Sequence, residues 1–137
     1  MTHSITQTLT VPVQGHYSVL VAGAGVAGVA AAIAAARQGA KVLLLEKSTV
    51  PGGLATLGLI AIYLPLCDGK GRKLIGGIAE ELLRESIRYG YGNLPACWQD
   101  GSKTIQGGHE RYQTVFNTSA FVLAMDALLE RAGVEVL

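Results

Sequence analysis

Three glycines and one carboxylate carry the chemistry legible in this chain. Gly23, Gly25 and Gly28 stand in G-x-G-x-x-G spacing, and Glu46 follows directly after an apolar run. Glycines spaced in this way leave the backbone bare, so that a diphosphate can approach it closely. The N–H groups that follow, at Val26, Ala27 and Gly28, open an alanine-rich segment. In a helix they lack intrahelical acceptors and sit at the positive end of the dipole, which makes them an anion site. A carboxylate at Glu46 can accept bonds from both hydroxyls of a ribose. Together these residues point to a dinucleotide.

They need a strand, a turn, a helix and a second strand to hold them. Val19-Leu20-Val21-Ala22 has the length and β-branched content of a strand. Helical propensity then runs to Gln38 and closes at Gly39. Gly28 lets that helix pack tightly on the strands, and Ala32, one turn on, keeps the same face small. Val42-Leu43-Leu44-Leu45 is the second strand and ends on Glu46. This is one βαβ unit of a dinucleotide-binding fold. The rival is a transmembrane helix, since Tyr17 to Ala36 spans about 20 residues without a charge. The clustered glycines, the β-branched run and the lack of a positive cluster in residues 1–16 argue against it.

After Glu46 come Lys47 and then Pro51-Gly52-Gly53-Leu54-Ala55-Thr56. The glycine pair reads either as a turn leaving the sheet or as backbone N–H groups brought to the cofactor, with Thr56 the nearest hydroxyl. The run Gly23 to Glu46 followed by Gly52 to Thr56 resembles the amino terminus of FAD-dependent oxidoreductases of the glutathione-reductase and fumarate-reductase structural class. Gly76 to Leu82 and Ala132 to Leu137 resemble a bacterial branch of the same flavoproteins. The resemblance implies FAD, with Gly23, Gly25 and Gly28 facing the pyrophosphate and Glu46 holding the adenosine ribose. The candidate cofactor-binding set is therefore Gly23, Gly25, Val26, Ala27, Gly28, Glu46, Lys47, Gly52, Gly53 and Thr56. No catalytic residue and no substrate can be read.

Composition narrows the rest. Of 137 residues, 50% are hydrophobic and 15% charged, with a net charge of +1, so the chain buries most of itself and gives no electrostatic support for nucleic acid. Cys67 and Cys97 lack C-x-x-C spacing and read as free thiols of a cytoplasmic protein. His3, His16 and His109 are scattered, and no metal site is legible.

The remaining chain divides simply. Residues 1–16 read as an extension leading into the first strand, able to pair at an edge. Residues 17–137 form a partial α/β FAD-binding domain of Rossmann type, with an insertion at about 57–117. Within the insertion, Tyr63 to Arg72 reads as irregular, and Gly77 to Tyr89 as an amphipathic helix. Glu80, Glu81, Arg84, Glu85 and Arg88 form its solvated face, with i,i+4 pairs such as Glu80–Arg84. Tyr89 to Asn117 gathers aromatics and glycines, either over a flavin ring or packing on each other. His109, Glu110 and Arg111 are its close ionisable set. Asn117 or Ser119 caps a last helix, Ala120 to Ala132, which Gly133 ends before a third strand. The parallel order is then 3-2-1, in an incomplete sheet. The chain reads as the amino-terminal part of a longer flavoprotein. Alternatives are a fragment that keeps the fold without activity and self-associates through the bare edge of its first strand, or part of an NAD-dependent dehydrogenase.

Overall fold

The computed structural model describes residues 3–99 and 111–137. Its elements run β1 (Val19–Ala22), α1 (Val26–Arg37), β2 (Val42–Leu45), β3 (Ile62–Tyr63), α2 (Ile78–Ser86), β4 (Thr114–Val115), α3 (Thr118–Ala132) and β5 (Glu135–Val136). A parallel sheet has the order β1-β2-β5, which is the expected 3-2-1 order read from the other edge. Val19 pairs with Val42 and Ala22 with Leu45, so β1 and β2 finish level. The glycine turn and Glu46 therefore leave the sheet at the same end.

One face of the sheet is layered by helices. Val42 and Leu44 pack there with Val29 and Ile33 of α1 and Met125 and Leu128 of α3. Ala32 is fully buried, as its place one turn beyond Gly28 requires. On the opposite face Leu20, beside Leu43 across the strand pair, stays 60% exposed. Of the two capping candidates Asn117 acts: its side chain accepts the Ala120 N–H at 2.9 Å, and Gly133 ends α3 in the left-handed region.

The described part of the insertion is more ordered than its sequence suggests. Tyr63 does not begin an irregular stretch: β3 pairs antiparallel with β4, Ile62 opposite Val115 and Tyr63 opposite Thr114. The helix of this region stops at Ser86, short of Tyr89, with Ile87 as its C-cap. The chain must then pass close to β4, where a Cβ on Gly92 would run into the Val115 carbonyl. Trp98 and Tyr112 stack with ring centroids 4.8 Å apart, building a second small core with Leu66, Leu83 and Leu94. Tyr89 and Tyr91 remain exposed and take no part in it.

The charges on α2 also differ from a plain solvated face. Glu80 pairs with Arg84 at 3.4 Å as the spacing suggests, but it also accepts from Lys73 at 2.8 Å and from the Tyr112 hydroxyl at 2.5 Å. Glu81 forms a two-pronged pair with Arg37, both contacts at 2.7 Å, tying α2 to α1. Residues 3–16 are largely exposed and hold no strand. His109 and Glu110 lie outside the described residues.

Gly28 is where the fold tolerates least change. A Cβ there would collide with the carbonyl oxygen of Gly23 in the turn below. We expect Gly28→Ala to lower the unfolding free energy by about 2 kcal/mol or more, read from the urea midpoint. An unchanged midpoint would mean that helix and turn do not pack as described.

Candidate dinucleotide site

The turn between β1 and α1 is held from two sides at Ala24. Its N–H donates to Glu46 Oε2 at 2.6 Å, and its carbonyl accepts the Gly52 N–H at 2.7 Å. The other carboxylate oxygen of Glu46 accepts the Ser48 N–H at 2.8 Å. Gly23 N–H donates to the Leu45 carbonyl at 2.7 Å, continuing the strand pairing into the turn. Glu46 is thus both the acid at the end of β2 and a clasp on the glycine loop. The Ser48 and Ala24 amides hold its carboxyl below the usual glutamate range.

Gly25 sits where α1 begins, at φ −60° and ψ 168°, a conformation open to any residue. Val29 donates to the Gly25 carbonyl at 2.9 Å, so the amides ahead of Val29 make up the free first turn of the helix. A Cβ on Gly25 would meet nothing within 4 Å. Open space therefore lies over the residue expected to face a pyrophosphate.

Gly52 and Gly53 lie against the same turn. Gly52 is bridged in parallel to Gly25, and a Cβ on Gly53 would come within 3.3 Å of the Gly25 Cα. Gly52 at φ 103° holds the left-handed bend that brings the pair there. The pair thus lies against the glycine loop, with the Gly52 N–H already taken by the Ala24 carbonyl. Thr56 is buried, and its hydroxyl donates to the Pro51 carbonyl at 2.7 Å, so it fixes the shape of this loop. Lys47 is exposed beside Glu46.

Two cavities flank the turn. One of about 500 Å³ is lined by Ala22, Gly23, Leu45, Glu46, Lys47 and Leu137. The other, of about 480 Å³, opens on Gly25, Val26, Ala27 and Gly52 and is walled by apolar side chains from β3 and the start of α3. Gly23 belongs to one and Gly25 to the other, so the diphosphate link of a dinucleotide can lie on the turn with a half of the ligand on each side. Of the expected site residues, Gly23, Glu46 and Lys47 line the first cavity and Gly25, Val26, Ala27 and Gly52 the second; Gly28, Gly53 and Thr56 line neither, Gly53 lying against Gly25. The Ala24 and Ser48 clasps and the wall from Ile62 to Leu64 were not foreseen. The Ala24 clasp depends on β1 and β2 finishing level and the wall on β3 pairing with β4, so no local spacing marks either, whereas the Ser48 contact lies two residues along the chain from Glu46.

The depressed Glu46 titration fixes a sign. Its contribution to stability is complete above the ordinary value of 4.5 and is lost as pH falls through the lower folded-state value. We expect the urea midpoint of Glu46→Gln to fall less steeply than that of the parent between pH 7 and 3. Amide exchange at Ala24 should also be faster in the variant. Parallel curves with unaltered exchange would show that the carboxylate does not hold the loop.

Known proteins resemble this chain in family and in fold. The family described as FAD dependent oxidoreductase matches residues 18–137. Vinyl phenol reductase of Lactiplantibacillus plantarum is 35% identical over 105 residues, covering 72% of this chain. The chain spans 21% of that relative's length. Among solved structures, THI4 of Thermovibrio ammonificans overlays with a TM-score of 0.50 at 15% identity, covering 88% of this chain and 38% of its own. The Diels-Alderase PyrE3 gives 0.47 at 14% identity, over 86% and 24%. Among the described residues no helix is long and apolar enough to cross a membrane. With its family matched over nearly the whole chain and its βαβ unit in the expected order, this chain belongs to the FAD-dependent oxidoreductases, and its cofactor is FAD.

Proposed function

We propose that this chain is the FAD-binding, amino-terminal portion of a flavin-dependent oxidoreductase, with each half of the cofactor assigned to one of the two cavities. The observation that carries this reading is the open space over Gly25, at the start of α1 and between the cavities. The first-turn amides at Val26, Ala27 and Gly28 hold the diphosphate. Glu46 takes the ribose: an ionised carboxylate offers about four acceptor positions, and Ala24 and Ser48 occupy two of them. Lys47 lines the adenosine side. Gly52 and Gly53 close the loop over the diphosphate, and Thr56 keeps that loop in shape.

Once bound, FAD supplies the redox chemistry. The residues of this chain bind it, orient it and shield one side of it from water. Among the described residues lining the cavity beside Gly25 and Gly52 there is no carboxylate, imidazole or amine, so we assign these residues to cofactor binding and none to proton transfer. On its own the chain keeps this fold and associates with itself. The support is β1, which pairs only with β2 among the described strands and carries exposed Leu20.

Two measurements test this. Gly25→Ala should shift stability by no more than about 1 kcal/mol, since its backbone suits alanine and its Cβ has room. Its affinity for FAD in equilibrium dialysis should drop at least about tenfold, because the methyl group occupies the diphosphate's path. Equal affinity would overturn the placement. Sedimentation equilibrium should show concentration-dependent association that Leu20→Lys weakens; a monomer at all concentrations would count against self-association.

A further inference from the structure

We propose that the cavity beside Gly25 and Gly52 receives a flat, uncharged, apolar part of the substrate and disfavours a carboxylate, with Ile62 marking where that preference ends. This deepens the flavoprotein reading and rests on it for the position of the cofactor.

The walls state the preference. Leu54, Ile60, Ile62 and Leu64 come from the loop and β3, and Phe116 and Phe121 close the back. The single hydroxyl in the lining, on Tyr63, donates to the Ala79 carbonyl at 2.8 Å. Side chains therefore offer no cation to replace the water that an anion would lose on entering. The helix-start amides lie at one end, where the diphosphate is assigned. An apolar ring gains on the same wall by covering surface otherwise left in water.

The wall is larger than its enclosed part. Leu54 and Leu64 are 71% and 70% exposed, with Ile60 half-exposed between them in sequence. So much apolar surface around one opening marks a place that is covered in use. On the proposed reading the cofactor ring and the apolar part of the substrate cover the share of that surface nearest Gly25.

Ile62 separates this surface from a different one. It also lines a neighbouring cavity of about 400 Å³, whose lining includes Asn93, Arg111 and Gln113. Polar and cationic groups thus begin on the far side of a single half-exposed side chain. A cation at position 62 would carry positive charge across that boundary without disturbing the buried core.

The matched probes 2-naphthol and 2-naphthoate share one ring system and differ in charge at pH 7. Calorimetric titration of each into the full chain saturated with FAD, whose diphosphate covers the helix-start amides, should show 2-naphthol binding at least about tenfold more tightly. With FAD present, 2-naphthol should also shift the visible flavin band. Ile62→Arg should narrow or reverse the ratio, whereas Leu123→Lys, on an exposed position of α3 away from the cavity, should leave it unchanged. Equal or tighter naphthoate binding, no naphthol binding, or a ratio unaltered in Ile62→Arg would each overturn the proposal. If FAD fails to bind, the cofactor placement falls, and the change in ratio between the parent chain and Ile62→Arg, whose helix-start amides are equally free, still decides the preference of the wall.

Discussion

β1 and β2 lie parallel and finish level, and every feature of the site follows from that register. Val19 opposite Val42 fixes Ala22 opposite Leu45, which sends the turn after β1 and the acid after β2 out of the sheet side by side. A slip of one residue would reverse which side chains face the helices and would move Val42 and Leu44 out of the core. Register is therefore enforced by burial, since both of these side chains are at most 1% exposed. Once it is enforced, the Ala24 amide lies within 2.6 Å of Glu46 with no further adjustment. Packing on one face of the sheet sets hydrogen-bond geometry at its end.

The insertion rests on that unit but has its own source of order. Stacked Trp98 and Tyr112 fill its small core, and Arg84 ties the core to α2 by donating to the Trp98 and Gln99 carbonyls and to the Tyr112 hydroxyl. Burial and the hydrogen bond to Glu80 push the Tyr112 hydroxyl up to about 12, so it stays a neutral donor to that carboxylate. The arrangement keeps β3, paired with β4, in place at the edge of the cavity beside Gly25. By comparison the exposed Arg37–Glu81 pair contributes less than about 1 kcal/mol and serves more to align α2 with α1.

Much of the central unit was legible because its signals are local. The glycine spacing, the small face at Ala32, the closing Gly39 and the acid after four apolar residues all lie within 24 positions, from Gly23 to Glu46. β3 and β4 gave no such signal, being two residues each and drawn together across some fifty residues of chain. Glu80 was misread for a related reason: charges at helical spacing look the same whether they face water or a buried phenol. Thr56 reads from sequence as the hydroxyl nearest the cofactor, but only the fold shows that this hydroxyl turns inward to Pro51. The choice between Asn117 and Ser119 as cap likewise needed the backbone, which bends at Asn117.

The clasp on Ala24 also bears on how quickly the site can work. A loop that is disordered until its ligand arrives must be frozen during the encounter, which slows capture and weakens the final grip. Here the carboxylate has already done the freezing while the chain folds, using oxygens that still have room for two more donors. A dinucleotide bound as proposed would meet a loop already in shape, so loop rearrangement would not limit its uptake.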